Sequence, residues 1–445
     1  MMKQYDSYKD SGVEWIGKIP SHWETLPLKR YGRFGKGLSF TKADLVDEGY
    51  PVISYGQIHS KHNSCTGNND ELIRFVPGVF IDHADNSIVS MGDFIFADTS
   101  EDLEGSGNAV YIDRDSDIYG GYHTIIFQTK NKDNKYLAYL FKTDYWRSQI
   151  RSRVSGVKVY SITQSILNLV SIILPPYEEQ YAISTYLDKK CGEIDKAIAT
   201  QEKRMELLKE LRQNIITQAV TRGINPDAPL KDSGVEWIGK VPEHWKVMKM
   251  NHALRSISDV NHYMPDSVSE GYPYIMTGDL KEFLSEIDLD SCKQISVDDY
   301  KELTVKSKAQ KGDVIFARYA TIGTVCYVDV DKDFVVSYSC VTIKPNSSIL
   351  DGLFLFYYLQ THTFFEDVSQ SINSNTQGNV GIESLSASRL IVPPISEQQE
   401  IVTYIETKTA RLDASIEKAE HQIELLQELK QSIITEVVTG KRKVV

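Results

Sequence analysis

The sequence predicts a mixed α/β (α+β) protein made of two copies of one module, each a mixed domain of short strands and helices followed by a long helix. Three observations predict it. First, Lys9 to Trp23 reads KDSGVEWIGKIPSHW and Lys231 to Trp245 reads KDSGVEWIGKVPEHW, with 13 of 15 positions identical. Second, a later pair of matches follows in the same order: Pro175-Pro176 answers Pro393-Pro394, and the segment Glu206–Thr217 answers Glu424–Thr435. Two ordered matches in register mark an internal duplication, and the long period indicates whole domains instead of small solenoid repeats. Third, a four-and-three alternation of apolar residues follows each Pro-Pro pair, which predicts two helices pairing as an antiparallel coiled coil with pseudo-twofold symmetry.

In chain order, the first domain covers 1–175. Runs rich in Val, Ile, Tyr and Phe, bounded by Gly, Asp and Asn, predict strands at 52–58, 93–97, 109–112, 123–129 and 169–174. Helical stretches are expected near 136–151, and near 353–366 in the second copy. The second domain covers 223–393 and keeps the skeleton: Gly312-Asp313-Val314-Ile315-Phe316-Ala317 resembles Gly92-Asp93-Phe94-Ile95-Phe96-Ala97. Cys326-Tyr327-Val328-Asp329 likewise resembles Val110-Tyr111-Ile112-Asp113. Each Pro-Pro ends a strand and forbids helix until about Glu178 and Glu397.

The long helices are predicted over 176–222 and 394–440, leaving 441–445 as a tail. The first seam runs Leu187, Cys191, Ile194, Ile198, Gln201, Met205, Leu208, Arg212, Ile215, Ala219. The second runs Ile405, Thr409, Leu412, Ile416, Ala419, Ile423, Leu426, Lys430, Ile433, Val437. Leu207/Leu211 and Leu425/Leu429 are expected to widen it, and Gly223 and Gly440 to stop the helices. Chain order requires the helices to run antiparallel if they pair with each other, with residues 9–23 docking at the end of the second helix as 231–245 follow the first. Such a bar serves either as a dimerisation stalk or as a ruler holding two domains apart; a partner helix already present in the chain favours the ruler.

Composition excludes several classes. Of 445 residues, 41% are hydrophobic and 25% charged, as in an ordinary globular protein. The 49 basic and 61 acidic residues give −12, the wrong sign for a generic polyanion binder, so any nucleic-acid surface is a local patch. Cys65, Cys191, Cys292, Cys326 and Cys340 form no CxxC pair, which argues against zinc and a disulfide framework. No signal-like or membrane-spanning apolar run is present, so a cytoplasmic protein without membrane contact is expected.

The doubled KDSGVEWIGKxPxHW segment, the Pro-Pro-x-x-Glu-Gln entrances at 175–180 and 393–398, and the ELLxELxQxIIT helix endings resemble the specificity subunits of type I restriction-modification systems. The resemblance covers essentially the whole chain. It implies two target recognition domains, each reading one half of a bipartite asymmetric site in double-stranded DNA. The paired helices would set the spacer and dock two methyltransferase (modification) subunits, with restriction/translocase subunits joining them. It also implies no cofactor bound by this chain: S-adenosylmethionine, ATP and magnesium would belong to the partner subunits.

A non-catalytic role is expected from the residues as well. Leu174-Pro175-Pro176-Tyr177 and Val392-Pro393-Pro394-Ile395 lack the polar residue with which adenine methyltransferases hold their target amine. Phe34-Gly35-Lys36-Gly37 fails the spacing of a cofactor loop, and no GxGxxG or GxxxxGK[ST] occurs. A nuclease-like Pro265-Asp266 with Asp299-Tyr300-Lys301 has no counterpart in the first copy. His22 and His244 sit between Pro and Trp in the repeated anchor, where packing explains them better than catalysis. A non-DNA-binding scaffold with duplicated protein-interaction domains is the competing reading.

Arg and Lys suit phosphates and guanine edges, and Asn, Gln and Tyr suit other base edges. The densest basic stretch is Arg147, Arg151, Arg153 and Lys158; its counterpart is amide-rich, with Asn375, Gln377 and Asn379. A second candidate pair is Tyr55 and Gln57 with Thr277 and Asp279. A third is Arg318-Tyr319, facing Asp98-Thr99 of the first copy. The bland alternative for each is a solvated helix face or a strand residue in the core.

Overall fold

The computed structural model describes residues 4–444 except 68–69, 83, 115–116, 157 and 370–377. The chain divides into two units: Met1–Gln201 with His421–Val445, and Glu202–Glu420. The first unit therefore takes both ends of the chain.

Alternation builds the first unit around one sheet. Its strands run in the order Ala109–Tyr111, Phe94–Ala97, Thr124–Thr129, Gly32–Lys36, all antiparallel. Successive strand side chains point to opposite faces, so Phe94, Phe96 and Phe127 enter one core while Ile95, Ala97 and Ile126 enter another. Helices Lys135–Phe141 and Asp144–Arg151 cover the aromatic face. Ile53, Ile58, Val89 and Ile118 fill the other face. Ile53, Val89 and Ile118 belong to a second sheet ordered Arg74–Val76, Tyr50–Ile53, Ile118–Gly120, Ile88–Val89, whose middle pair is parallel, and Ile58 to the helical turn after Ile53. Separately, Glu24–Pro27 pairs with Ser171–Leu174 and brings the anchor beside Pro175.

The second unit repeats this frame. Leu254–Ser258, Cys340–Pro345, Val314–Ala317 and Val325–Tyr327 form its antiparallel sheet. Lys293–Ile295, Tyr272–Ile275 and Val335–Val336 form the other, again with a parallel pair. Helix Val297–Ser307 follows the first strand of that sheet and packs Tyr300 and Leu303 under it.

Local chemistry corrects three expectations. The strand expected over 52–58 ends at Ile53, and Tyr55–Ile58 is a single helical turn. Ser54 and Gln57 form a capping box there, which outcompetes the β-rich composition. The helix expected over 136–151 splits at Thr143, whose hydroxyl accepts from the Trp146 amide and caps the second piece. The stretch 353–366 splits likewise at Thr361, into Gly352–Leu359 and His362–Ser369, with the Phe364 amide donating to the Thr361 hydroxyl at 3.2 Å.

The long helices are Tyr177–Arg222 and Ile395–Val438. In the first unit Ile183, Leu187, Cys191 and Ile194 pack with Ile433, Ile434, Val437 and Val438. Lys430 Nζ meets Asp195 Oδ1 at 2.5 Å, while neighbouring Tyr5 and Tyr8 reach Glu179 at the start of the first helix and the Gly440 carbonyl past the end of the second, so numbering rises along one segment as it falls along the other. In the second unit Ile216, Ala219 and Val220 share a core with Ile401, Val402 and Ile405. There Arg212 bridges Asp413 at 2.8 Å and Glu282 at 2.7 Å. Each unit thus contains an antiparallel helix pair. The expected seam residues are buried or half-buried, but Leu207, Leu211, Leu425 and Leu429 are exposed. Each lies one residue before a seam residue, on a stripe that no helix of its own unit covers. Arg212→Met is expected to cost about 1 kcal/mol, because both carboxylates are nearly half-exposed and solvent screens them; a urea midpoint unchanged from the parent would contradict the bridge.

The repeated anchor locks each unit in the same way. Asp10 accepts from the Gly12 amide and Asp232 from the Gly234 amide, both at 2.8 Å, in the turn of a two-stranded hairpin. His22 Nε2 meets Glu179 at 2.8 Å, and His244 Nε2 meets Glu397 at 2.7 Å. Trp23 and Trp245 are fully buried behind them. Gly440 and Gly223 end the long helices in the left-handed region, at φ +71° and +79°. A Cβ on Gly440 would lie 2.3 Å from Pro20 Cδ, so the anchor of residues 9–23 docks against the end of the second long helix as expected. Gln431 donates to the Lys142 carbonyl at 3.2 Å in one unit, and Gln213 to the Gln360 carbonyl at 2.9 Å in the other.

Candidate nucleic-acid interface

One rim recurs in both units, built where the central strand of the antiparallel sheet runs out. In the first unit the Asp98 amide donates to the His123 carbonyl at 3.1 Å, and the Ile162 amide to the Asp98 carbonyl at 2.8 Å. In the second the Arg318 amide donates to the Ser339 carbonyl at 2.9 Å, and the Val380 amide to the Arg318 carbonyl at 3.1 Å. Thr99–Ser100 pairs with Tyr160–Ser161, and Tyr319 pairs with Asn379. The backbone is therefore one frame made twice.

The side chains on that frame differ. The first rim carries Asp98, Thr99, Tyr122 and His123, with His123 Nδ1 3.3 Å from Asp98 Oδ1. Tyr55 stands edge-on to both Tyr122 and His123, with ring centres 5.9 and 5.7 Å apart. Burial pushes the Tyr122 phenol above its ordinary pKa, so it stays a neutral donor. Lys36, Lys42, Phe40 and Thr41 line the same cleft. The second rim carries Arg318, Tyr319, Tyr338 and His262. Arg318 is nearly buried, paired with Asp259 and set 4.8 Å from the Tyr319 ring. His262 lies 4.7 Å from the Tyr338 ring and 6.1 Å from that of Tyr319.

The expected site residues fall into three groups. Tyr55 joins the first rim, and Arg318, Tyr319 and Asn379 come together at the second. Gln57 and Asp279 are matched turn-formers: Gln57 accepts from the Ser54 amide at 3.2 Å and Asp279 from the Met276 amide at 2.8 Å. Thr277 lies half-buried in that turn. The basic stretch, by contrast, is divided. Arg151 pairs with Glu104 at 2.6 Å and Asp144 at 3.3 Å, and Arg147 donates to the Glu104 carbonyl at 3.1 Å. Arg153 turns to Trp15, 6.0 Å from its ring, while Lys158 is exposed. Asn375 and Gln377 lie outside the described residues.

Sequence reasoning missed Tyr122, His123, His262 and Tyr338. A signal existed in Gly121-Tyr122-His123 and Ser337-Tyr338-Ser339, which precede strands paired with Phe94–Ala97 and Val314–Ala317. The tyrosine is constant and the next residue is not.

All five cysteines are free. No cluster of three or more His, Cys, Asp or Glu suited to a metal ion occurs among the described residues. Nor is any described helix long and apolar enough to cross a membrane.

A doubled frame with a constant support and variable rims defines a class: paired recognition domains on shared helices. The type I restriction modification DNA specificity domain matches twice, over residues 20–209 and 255–425, and the chain belongs to that family. It is similar to the type I restriction enzyme EcoKI specificity subunit of Escherichia coli, 20% identical over 442 residues, covering 96% of this chain and 90% of that one. It is 24% identical over 327 residues to the MjaVIII specificity subunit of Methanocaldococcus jannaschii, covering 71% and 72%. A solved structure described as the structural basis of complex assembly and conformational transition of the type I R-M system shares the fold. Its TM-score is 0.66 at 16% identity, covering 94% of this chain and 98% of that one.

Proposed function

We propose that this chain is the DNA-specificity subunit of a type I restriction-modification complex, each unit's rim reading one half of a bipartite, asymmetric duplex site. The observation that carries this is the pair of rims: the same backbone bonds at Asp98/His123 and Arg318/Ser339, with different side chains on them. Two copies of one reader with unlike contact residues select two unlike half-sites, whereas equal rims would select a palindrome. The long helices set the spacer. Leu207/Leu211 and Leu425/Leu429, equivalent pairs left exposed, offer two matching apolar docking places for two modification subunits, to which restriction subunits add. S-adenosylmethionine, ATP and magnesium are bound by those partners, in the cytoplasm where the host DNA lies.

The first rim also fits the charge. Lys36 and Lys42 make no ion pair among the described residues, so a local basic contact exists on a chain that is acidic overall.

Footprinting tests the proposal. With modification subunits added, the chain is expected to protect two short segments separated by an unprotected or sequence-indifferent gap, and alone to bind weakly and lose binding steeply with salt. The isolated chain is expected to transfer no methyl group. Protection without any preferred bipartite sequence would favour a scaffold instead.

A further inference from the structure

Among the described non-glycine residues only Cys65, His123 and Ala320 adopt positive φ. Two of these three lie on the rims: His123 at φ +54°, and Ala320, next to Tyr319, at +56°. A left-handed non-glycine residue is strained and persists where the surroundings fix it. At His123 the fixing is plain. A Cβ on Gly121, two residues earlier, would lie 2.0 Å from Ser54 Oγ, so the loop is pressed against the second sheet's end and cannot relax. The backbone bond from the Asp98 amide holds the other side.

The imidazole this backbone presents is more than half exposed. Its Nδ1 faces Asp98 Oδ1 at 3.3 Å in an ion-pair contact, and that oxygen is itself buried and accepts no hydrogen bond. A carboxylate there draws the ring proton to Nδ1, which leaves Nε2 as an acceptor at the outer edge of the ring. Tyr55 and Tyr122 wall the ring from two sides and limit its rotation. In the second unit the corresponding positions hold Arg318 and Ser339, so this arrangement belongs to one unit alone.

We propose that His123 is a specificity-determining residue that reads one base pair of the half-site taken by the first unit. Its Nε2 accepts a hydrogen bond from the exocyclic amine of adenine or cytosine in the major groove, and Asp98 is the positioning residue that fixes the acceptor form. In the major groove these amines are the donors among base edges, so an obligate acceptor excludes guanine and thymine edges at that place. This inference rests on the reading of the chain as a DNA-specificity subunit.

The test uses the full chain copurified with its modification subunits and a library of duplexes randomised across the half-site, read by which sequences become methylated. His123→Gly, which also relieves the left-handed backbone, is expected to lower discrimination at one position of one half-site roughly tenfold, the scale of one net hydrogen bond. The other half-site serves as the internal control and stays unchanged. Asp98→Asn, with the ring proton free to sit on Nε2, is expected to shift the same position toward guanine or thymine edges, which a merely structural role would not do. His123→Asn also tolerates positive φ and is expected to narrow the position to adenine. Unchanged discrimination in all three variants overturns the assignment of His123. Methylation without sequence preference by the unsubstituted complex would instead overturn the reading of function beneath it.

Discussion

Insertion of seven residues into each long helix, within 198–205 of the first and 419–426 of the second, is expected to lengthen the DNA spacer and leave both half-sites unaltered. Seven residues add about 10 Å of helix and turn the face by only about 20°, so the seam stays continuous. At 3.4 Å per step, that length corresponds to up to about three base pairs. Both helices must be lengthened together, because Asp195 with Lys430 and Arg212 with Asp413 fix the antiparallel register within each unit. An insertion in one helix alone shifts these pairs out of register and is expected to destabilise instead. Methylation mapping of the inserted complex decides: an unchanged spacer would show that the helices do not set it.

The second large effect concerns stability. Trp23→Ala is expected to cost about 3–5 kcal/mol, the range for emptying a buried aromatic site. Trp23 is fully buried, donates to Glu179 at 3.2 Å, and stands edge-on to Tyr5 and Tyr136 at 5.8 and 6.3 Å. The same glutamate accepts from the Tyr5 hydroxyl and meets His22, so one side chain gathers the anchor, the domain and the helix start. Hydrogen exchange should lose protection over 136–141 and 433–438 while the second unit keeps its own. Trp245→Ala is expected to do the reverse, exposing the second unit near Gly223. Uniform loss across both units in either variant would contradict the separate cores.

Much of the architecture was legible because it is written in repetition and period. The Lys9–Trp23 match located the anchors, and the four-and-three alternation from Leu187 to Ala219 and Ile405 to Val437 picked out buried or half-buried positions but missed the buried neighbours Ile216 and Ile434. The second sheet was not legible: strands as short as Ile88–Val89 and Ile118–Gly120 carry no alternation to read, and their pairing spans long loops. Composition misled at Tyr55–Ile58, where a capping box decided the matter, and at Thr143, where one hydroxyl breaks a helix that periodicity would continue. The rims were legible only in part. Tyr55 and Arg318-Tyr319 were found by residue type, but Asp98, His123 and Ile162 are brought together by backbone bonds between distant segments. The basic stretch misled for a related reason, since Arg147 and Arg151 look available until Glu104 closes on them.

The uneven division of the chain also has a temporal meaning. Residues Glu202–Glu420 leave the ribosome as one uninterrupted stretch, so the second unit can close while synthesis continues. The first unit, begun earlier, lacks Ile433, Ile434, Val437 and Val438 until those residues emerge. Its aromatic wall, including the Tyr136 hydroxyl that donates to the Val438 carbonyl at 2.8 Å, waits exposed for that completion. The domain made first is the one finished last, and a nascent chain interrupted after Glu420 would carry one complete recognition unit and one open core.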